Sequence, residues 1–488
     1  MLAAYIYERV GAEYENRILL YDGDALEEKT SFSNYFSKNG FTVIHYMDDL
    51  HLRALHSEVI YSVEGKYLLI ASKDCYIPYD VIRRFHSFDI SLQQLFPKLN
   101  AEVLRDNPSL DLNLLAKAYA NNFYDLKEAK KTLEFVRESV YAEDNIREYM
   151  LAEHEKLIQM SESSRSYTDW FRIAEKKAKL GIMAARIGDT LNDETIEKRF
   201  QAFLLAAYKS LSSELNEESP VLLSRTMEYM LEESSGRSKF AILVMDGMSE
   251  FDWQIFADQF RDIRYTKSSV FAMIPTTTSV SRQCLLAGKF PAGLRSPWNQ
   301  SKEEAEFRAA AERMGFKPRD IQYARGFEPS IGSGVKCAAV IINDVDNIVH
   351  AQQFGRQGML RDITALSDTG QLKALVQTLL DKGFDVYITA DHGNTLCRGI
   401  GKTPQTGVVT ATKSRRMMVL KNIADKKMFF QKYGMVEFPE AYLPKEYDYL
   451  VCKAGESFDN KGQTVMSHGG ITIDEVIVPF IKIKAEDN

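Results

Sequence analysis

The sequence predicts an α/β protein whose C-terminal half is a doubly wound sheet with helices on both faces, preceded by a small α/β domain and a helical domain. Three observations lead there. Apolar runs alternate with helical patterns in the first hundred residues; the same alternation returns from Phe240; between them glycine and proline thin out. The expected domains are 1–105, 106–235 and 236–488.

In the first domain, Ile18 to Tyr21, Phe41 to Tyr46 and Tyr67 to Ala71 read as apolar strands separated by helices. Asp22 and Asp24 at the end of the first strand suit either a cation or a turn, and aspartate with glycine favours the turn. From about Leu110 to Glu233, segments such as Leu114–Tyr124, Lys127–Val140 and Trp170–Ala185 carry helical periodicity with dense charge, as solvated helix faces do. Ser234-Ser235-Gly236-Arg237-Ser238 is a polar break. Six candidate strands follow: Phe240–Met245, Ser269–Ile274, Ala338–Ile342, Val386–Thr389, Arg416–Leu420 and Glu475–Ile483. In such sheets ligands bind beyond the C-terminal strand ends.

Composition narrows the function. A 45% hydrophobic and 26% charged chain is globular. A net charge of −7 speaks against strong sequence-independent DNA binding. Five scattered cysteines make no disulfide framework, which fits a reducing cytoplasm. The first ten residues lack a signal peptide's apolar run, and no stretch has the length of a membrane span.

Only three of the eight histidines, His350, His392 and His468, follow Phe240, each beside acidic, glycine or serine residues at an element end. Asp246 ends an apolar strand before Gly247. Asp346 and His350 stand four apart, on one face of a helical turn. Asp391 and His392 end another strand, and His468 precedes Gly469-Gly470. Pro275-Thr276-Thr277-Thr278 opens an apparent helix, where a hydroxyl either caps the helix or feels the positive end of its dipole. Nitrogen and oxygen ligands without thiolate suit Zn²⁺, with Mn²⁺ second.

This ordered set, from Asp246-Gly247 through Pro275-Thr276-Thr277-Thr278, Asp346-x3-His350 and Asp391-His392-Gly393 to His468-Gly469, resembles the alkaline phosphatase superfamily. Within it, Ile341-Ile342-Asn343-Asp344-Val345-Asp346 and Ser467-His468-Gly469-Gly470-Ile471 resemble the PglZ domain, found in BREX phage-defence systems and in some response regulators. The resemblance covers about Phe240 to Ile483. It implies two divalent metal ions: one held by Asp246, Asp391, His392 and Thr278, the other by Asp346, His350 and His468. Asp344 is the alternative to Asp346, without its spacing to His350. Thr278 is the implied nucleophile, because related nucleotide pyrophosphatase/phosphodiesterases use the second threonine of Pro-Thr-x-Thr; three consecutive threonines leave the register open. Arg282 is a candidate phosphoryl contact or, equally, a surface salt bridge.

The implied activity is cytoplasmic phosphoester hydrolysis, diester before monoester, through a covalent threonine intermediate, on substrates that include nucleotides or oligonucleotides. A non-catalytic component of a BREX-like complex, with defence-system proteins as partners, is the first alternative; a phosphomutase is the second. No Cys-x-Pro-x-Arg or Ser-x-Pro-x-Arg segment marks a sulfatase.

Overall fold

The computed structural model describes all residues except 58, 60–63, 108–109, 234–238, 403–414, 422–433 and 486–488. The expected polar break at Ser234–Ser238 lies outside the described residues. The chain forms two compact units, Met1–Leu151 and Ala152–Asn488.

In the first unit, strands β1 (Arg17–Asp22), β2 (Phe41–His45), β3 (Lys66–Ser72) and β4 (His86–Ile90) make a parallel sheet in the order β2-β3-β1-β4. The central strands β1 and β3 carry the apolar runs, and Leu19, Leu69 and Ile44 lie in the core. The edge strand β4, His-Ser-Phe-Asp-Ile, has no such run and was not anticipated. Asp22 accepts from the backbone N–H of Leu26 and Glu27, both at 2.8 Å. Asp24 accepts from Leu92 N–H at 2.6 Å and pairs with Arg105 at 2.6 Å. Both carboxylates are thus engaged in holding a turn.

The second unit begins with helices. Tyr167–Arg186 opens on a capping box between Ser166 and Asp169, and its face with Trp170, Ile173, Ala174 and Leu180 is buried. Glu194–Ala207 and Thr226–Glu233 follow. The sheet then starts with β5 (Lys239–Met245), β6 (Thr266–Phe271), β7 (Ile321–Arg325), β8 (Cys337–Ile342) and β9 (Phe384–Thr389). After these come β10 (Thr395–Gly399), β11 (Met417–Leu420), β12 (Asp448–Val451), β13 (Thr464–Ser467) and β14 (Ile477–Ile483).

Six of these strands form the main sheet in the order β6-β14-β9-β5-β8-β7, whereas the expected strand Arg416–Leu420, observed as β11, pairs with β12 in a separate sheet. Strands β5, β7, β8 and β9 run parallel, and β14 lies antiparallel between β6 and β9. The central strands are buried along their whole length, which explains why they read as unbroken apolar runs rather than as alternation. The edge strand β7, Ile-Gln-Tyr-Ala-Arg, is only half-buried and gave no such signal. Strand β10 pairs antiparallel with β13, setting Thr395 opposite Ser467. That small ribbon joins the segment after His392 to the segment before His468. Elements expected to carry ligands therefore meet at one edge of the main sheet, where β5, β8 and β9 end and β14 begins.

Candidate metal centre

Each candidate side chain is placed by a strand end or a helix start. Asp246 directly follows β5, and Asp391 and His392 follow β9. Asp346 and His350 sit on the helix Asp344–Ala351 after β8, and Thr278 is the first residue of the helix Thr278–Ala287 after β6. Gly247 makes the sharp turn after Asp246 with φ of 75°. A Cβ there would lie 3.3 Å from the Cβ and Oδ1 of Asp346, so a side chain would strain the turn and crowd the next ligand.

Two groups form. The potential ligand atoms of Asp246, Asp391 and His392 lie within 4.8 Å of one another, and so do those of Asp346, His350 and His468. His350 Nε2 lies 3.2 Å from Asp346 Oδ2, and His468 Nε2 lies 3.6 Å from Asp346 Oδ1. His392 and His468 stack, with ring centroids 4.1 Å apart. The two groups are therefore adjacent. Asp344 belongs to neither among the described residues.

The imidazole tautomers follow from their partners. His392 Nδ1 lies 3.1 Å from the Gly393 carbonyl and His468 Nδ1 lies 3.1 Å from the Thr276 carbonyl. A carbonyl only accepts, so both Nδ1 atoms carry the proton and both Nε2 lone pairs point into the site. Burial pushes the His468 pKa down to about 4, with the neighbouring His392 adding to the shift. It is neutral at pH 7, the form that ligates.

The carboxylates make the complementary case. Burial, and then the nearby Asp246, raise the pKa of Asp391. Crowded, desolvated carboxylates of this kind are stabilised by a nearby cation. Asp391 Oδ2 and Asp346 Oδ1, one in each group, are buried without a hydrogen-bond partner. Buried polar atoms are seldom left so, and the donor set of three carboxylates and three imidazoles fits two divalent ions.

The three threonines have separate tasks. Thr276 is fully buried; its hydroxyl donates to the Gly470 carbonyl at 2.8 Å and accepts from Gly469 N–H at 3.1 Å, fixing the loop that carries His468. Thr277 is the N-cap residue, and its hydroxyl faces Ser279 at 3.5 Å. Thr278 is half-buried, with Oγ1 3.4 Å from Asp246 Oδ1 and 3.1 Å from His392 Nε2. Of the three threonine hydroxyls, this is the one that lies against side chains of the candidate ligands.

Arg282 departs from both sequence readings, phosphoryl contact and surface salt bridge. It is 0% exposed. Its Nη1 meets Asp246 Oδ2 at 2.6 Å, and its Nε meets Glu303 Oε2 at 2.8 Å. Burial opposes this charge, but Asp246, Asp391 and Glu303 outweigh it and raise the Arg282 pKa. One helical turn after Thr278, the side chain runs inward and anchors Asp246, leaving no face for a substrate. Glu303, itself buried, also receives Arg325 at 2.6 Å and the Tyr323 hydroxyl. Nothing in the sequence around Glu303 distinguishes it from the other acids of its helix, Glu303–Arg313.

Two segments follow the elements of Thr278 and His392: 288–336 is described, and 393–412 only as far as Lys402. The former packs against the helix of Thr278: Gln283 Nε2 donates to the carbonyls of Ser296 and Pro297 at 3.3 and 3.4 Å. Trp298 meets Tyr447 edge-on at 5.8 Å. Among the described residues, no helix is long and apolar enough to cross a membrane.

No curated protein matches the chain. Murine ectonucleotide pyrophosphatase/phosphodiesterase 5 is similar in structure at 12% identity, with a TM-score of 0.38, over 50% of this chain and 88% of that one. Phosphonoacetate hydrolase from Sinorhizobium meliloti 1021, in complex with phosphonoformate, is similar at 12% identity, with a TM-score of 0.35, over 50% of this chain and 90% of that one. These likenesses are too distant to carry function. The model of the BREX system PglZ alkaline phosphatase-like domain matches residues 223–483, more than half of the 488. The chain belongs to the PglZ family, with an alkaline phosphatase-like domain as its C-terminal half.

Proposed function

We propose that this protein is a two-metal phosphoester hydrolase, acting on phosphodiesters, with Thr278 as its nucleophile. The observation that carries the reading is the position of the Thr278 hydroxyl, at a helix N-terminus and within 3.4 Å of both Asp246 and His392. Asp246, Asp391 and His392 would hold one ion and Asp346, His350 and His468 the other. Two such ions, Zn²⁺ or Mn²⁺, would supply the positive charge that lowers the hydroxyl pKa and balances the phosphoryl oxygens.

The chain's own residues do the rest. The first-turn N–H groups of the helix add positive potential beside the Thr278 oxygen. Arg282 fixes Asp246, and Thr276 fixes the His468 loop, so the nucleophile meets a preset geometry. The Thr278 Oγ–phosphorus bond forms as the phosphorus bond to the leaving oxygen breaks; the hydroxyl proton passes to solvent, and solvent protonates the leaving oxygen to give the alcohol. Water then cleaves the threonyl ester and restores the hydroxyl. PglZ membership supports a place in a BREX-type defence assembly, with nucleotides or oligonucleotides among the substrates.

Hydrolysis of bis-p-nitrophenyl phosphate, with Zn²⁺ or Mn²⁺ restored after chelation, tests this. Thr278→Ala and Asp391→Ala are each expected to lose about 10⁴-fold or more in turnover. Thr276→Ala should fold less stably but keep measurable activity. Full activity in Thr278→Ala would refute the nucleophile assignment. Two bound metals without turnover on any diester would favour a non-catalytic component of the defence complex.

A further inference from the structure

A buried charged cluster lies directly behind the Asp246–Asp391–His392 group. Asn394, two residues after His392, is wholly buried. Its Nδ2 donates to the Gly247 carbonyl at 2.9 Å and to Asp252 Oδ2 at 2.6 Å. Its side-chain and backbone oxygens accept from the two Nη atoms of Arg356, each at 3.2 Å. The same guanidinium meets Asp474 Oδ2 at 2.7 Å and lies over the Phe251 ring, 4.9 Å from its centroid. Asp474 also receives Lys177 Nζ at 2.7 Å, from the helix Tyr167–Arg186.

These contacts are tied to the ligand loops by backbone. Gly247 is the turn after Asp246, and its N–H donates to Asp391 Oδ1 at 3.2 Å. Gly393 N–H donates to the Glu475 carbonyl at 3.0 Å, and a Cβ on Gly393 would lie 1.9 Å from the Asp474 carbonyl oxygen. Asn394 therefore joins the turn after Asp246 to the loop of Asp391 and His392, and both of its oxygens are held by one rigid fork. A lysine in place of Arg356 would keep the charge for Asp474 but not the two parallel bonds.

We propose that Arg356 is a positioning residue for the Asp246–Asp391–His392 metal group, acting through Asn394 and anchored by Asp474 and Lys177. This rests on the two-metal reading above. Partners one step removed from metal ligands typically contribute about 10–100-fold in metal affinity. A cluster that merely held helices against the sheet would contribute to folding alone.

The test is Zn²⁺ titration of the full metal-free chain against a chromogenic chelator, for wild type, Asn394→Ala and Arg356→Lys, with circular dichroism and thermal melts run in chelator. The wild type is expected to bind two ions. Both variants should keep the wild-type spectrum and lose about 10–100-fold in affinity for one ion only. Asn394→Ala leaves the Arg356–Asp474–Lys177 ion pairs in place, so it decides the matter if Arg356→Lys does not fold. Wild-type affinity for both ions in the folded variants, with earlier melting, would overturn the proposal and leave the cluster purely structural. A wild type that binds no ion would instead sink the two-metal reading itself.

Discussion

Replacing Arg282 by methionine separates a buried counter-ion from a substrate contact. The side chain is 0% exposed and meets Asp246 at 2.6 Å and Glu303 at 2.8 Å. Methionine fills much of the same volume, so the penalty comes from the carboxylates left behind rather than from a cavity. Removing one partner of a buried pair costs about 3–5 kcal/mol. Glu303 keeps Arg325 at 2.6 Å and the Tyr323 hydroxyl, which places the expected loss near the lower end, about 3 kcal/mol. At about 2.1 cal/mol/K of unfolding entropy per residue, spread over the unit Ala152–Asn488, that is a fall of about 4 °C in Tm. Differential scanning calorimetry with excess chelator measures it without a metal ion taking the guanidinium's place. Arg282→Met/Glu303→Gln should recover part of the loss, because one of the stranded charges is gone. An unchanged Tm in Arg282→Met, together with a raised KM for a diester, would refute the buried ion pair and restore Arg282 as a phosphoryl contact.

Acid should weaken the second unit through Glu175. Burial would raise its pKa, but Lys267 and Lys179 outweigh this and hold it at about 2, so its stabilisation is present above about pH 4.5 and lost as pH falls towards 2. Glu175→Gln should flatten that part of a urea-melt pH series, and an unchanged slope would count against the ion pairs. Gly393→Ala forces a methyl group to within 1.9 Å of the Asp474 carbonyl oxygen, and should destabilise the fold by about 3 kcal/mol or more in urea melts. Zn²⁺ at about 100 times its Kd should stabilise the chelated wild type by about 2.7 kcal/mol; Asp391→Ala and His468→Ala should each lose much of that gain in a thermal-shift assay.

The parts of the fold legible in the sequence were those with two-sided burial. Strands β5, β8 and β9 are buried on both faces and carry the unbroken apolar runs Phe240–Met245, Cys337–Ile342 and Val386–Ile388, which stop just short of Asp246, Asp344 and Asp391-His392 at the edge of the sheet. Edge strands such as β4 and β7 escaped notice because half-exposed residues carry no apolar run. Helical periodicity identified helices between Leu110 and Glu233, but periodicity does not say which core a helix joins. Those after Ala152 share a compact unit with the main sheet. At the candidate site, ligand types and spacing could be read along the chain, because Asp346 and His350 are local to one helix. The partners of Arg282, Glu303, Arg356 and Asp474 could not: they lie far away along the chain, and only tertiary packing brings each charge to its counter-ion. The Thr276–Thr278 register was likewise a matter of direction, which identical neighbours conceal.

The two candidate ligand groups differ in a way that suits the proposed covalent mechanism. Asp246, Asp391 and His392 are all buried, and the Arg282 and Asn394 contacts brace them from behind. In the other group the His350 side chain is 47% exposed and borders His468, with ring centroids 5.4 Å apart. Thr278 stands at the first group, on the half-buried start of its helix. On the hydrolase reading, the nucleophile must keep one position through bond formation and through release of the ester, so it belongs with the braced group. The leaving alcohol and the incoming water must exchange with solvent, so they belong with the open one. Were both groups equally buried, the leaving alcohol and the incoming water would have no route to solvent.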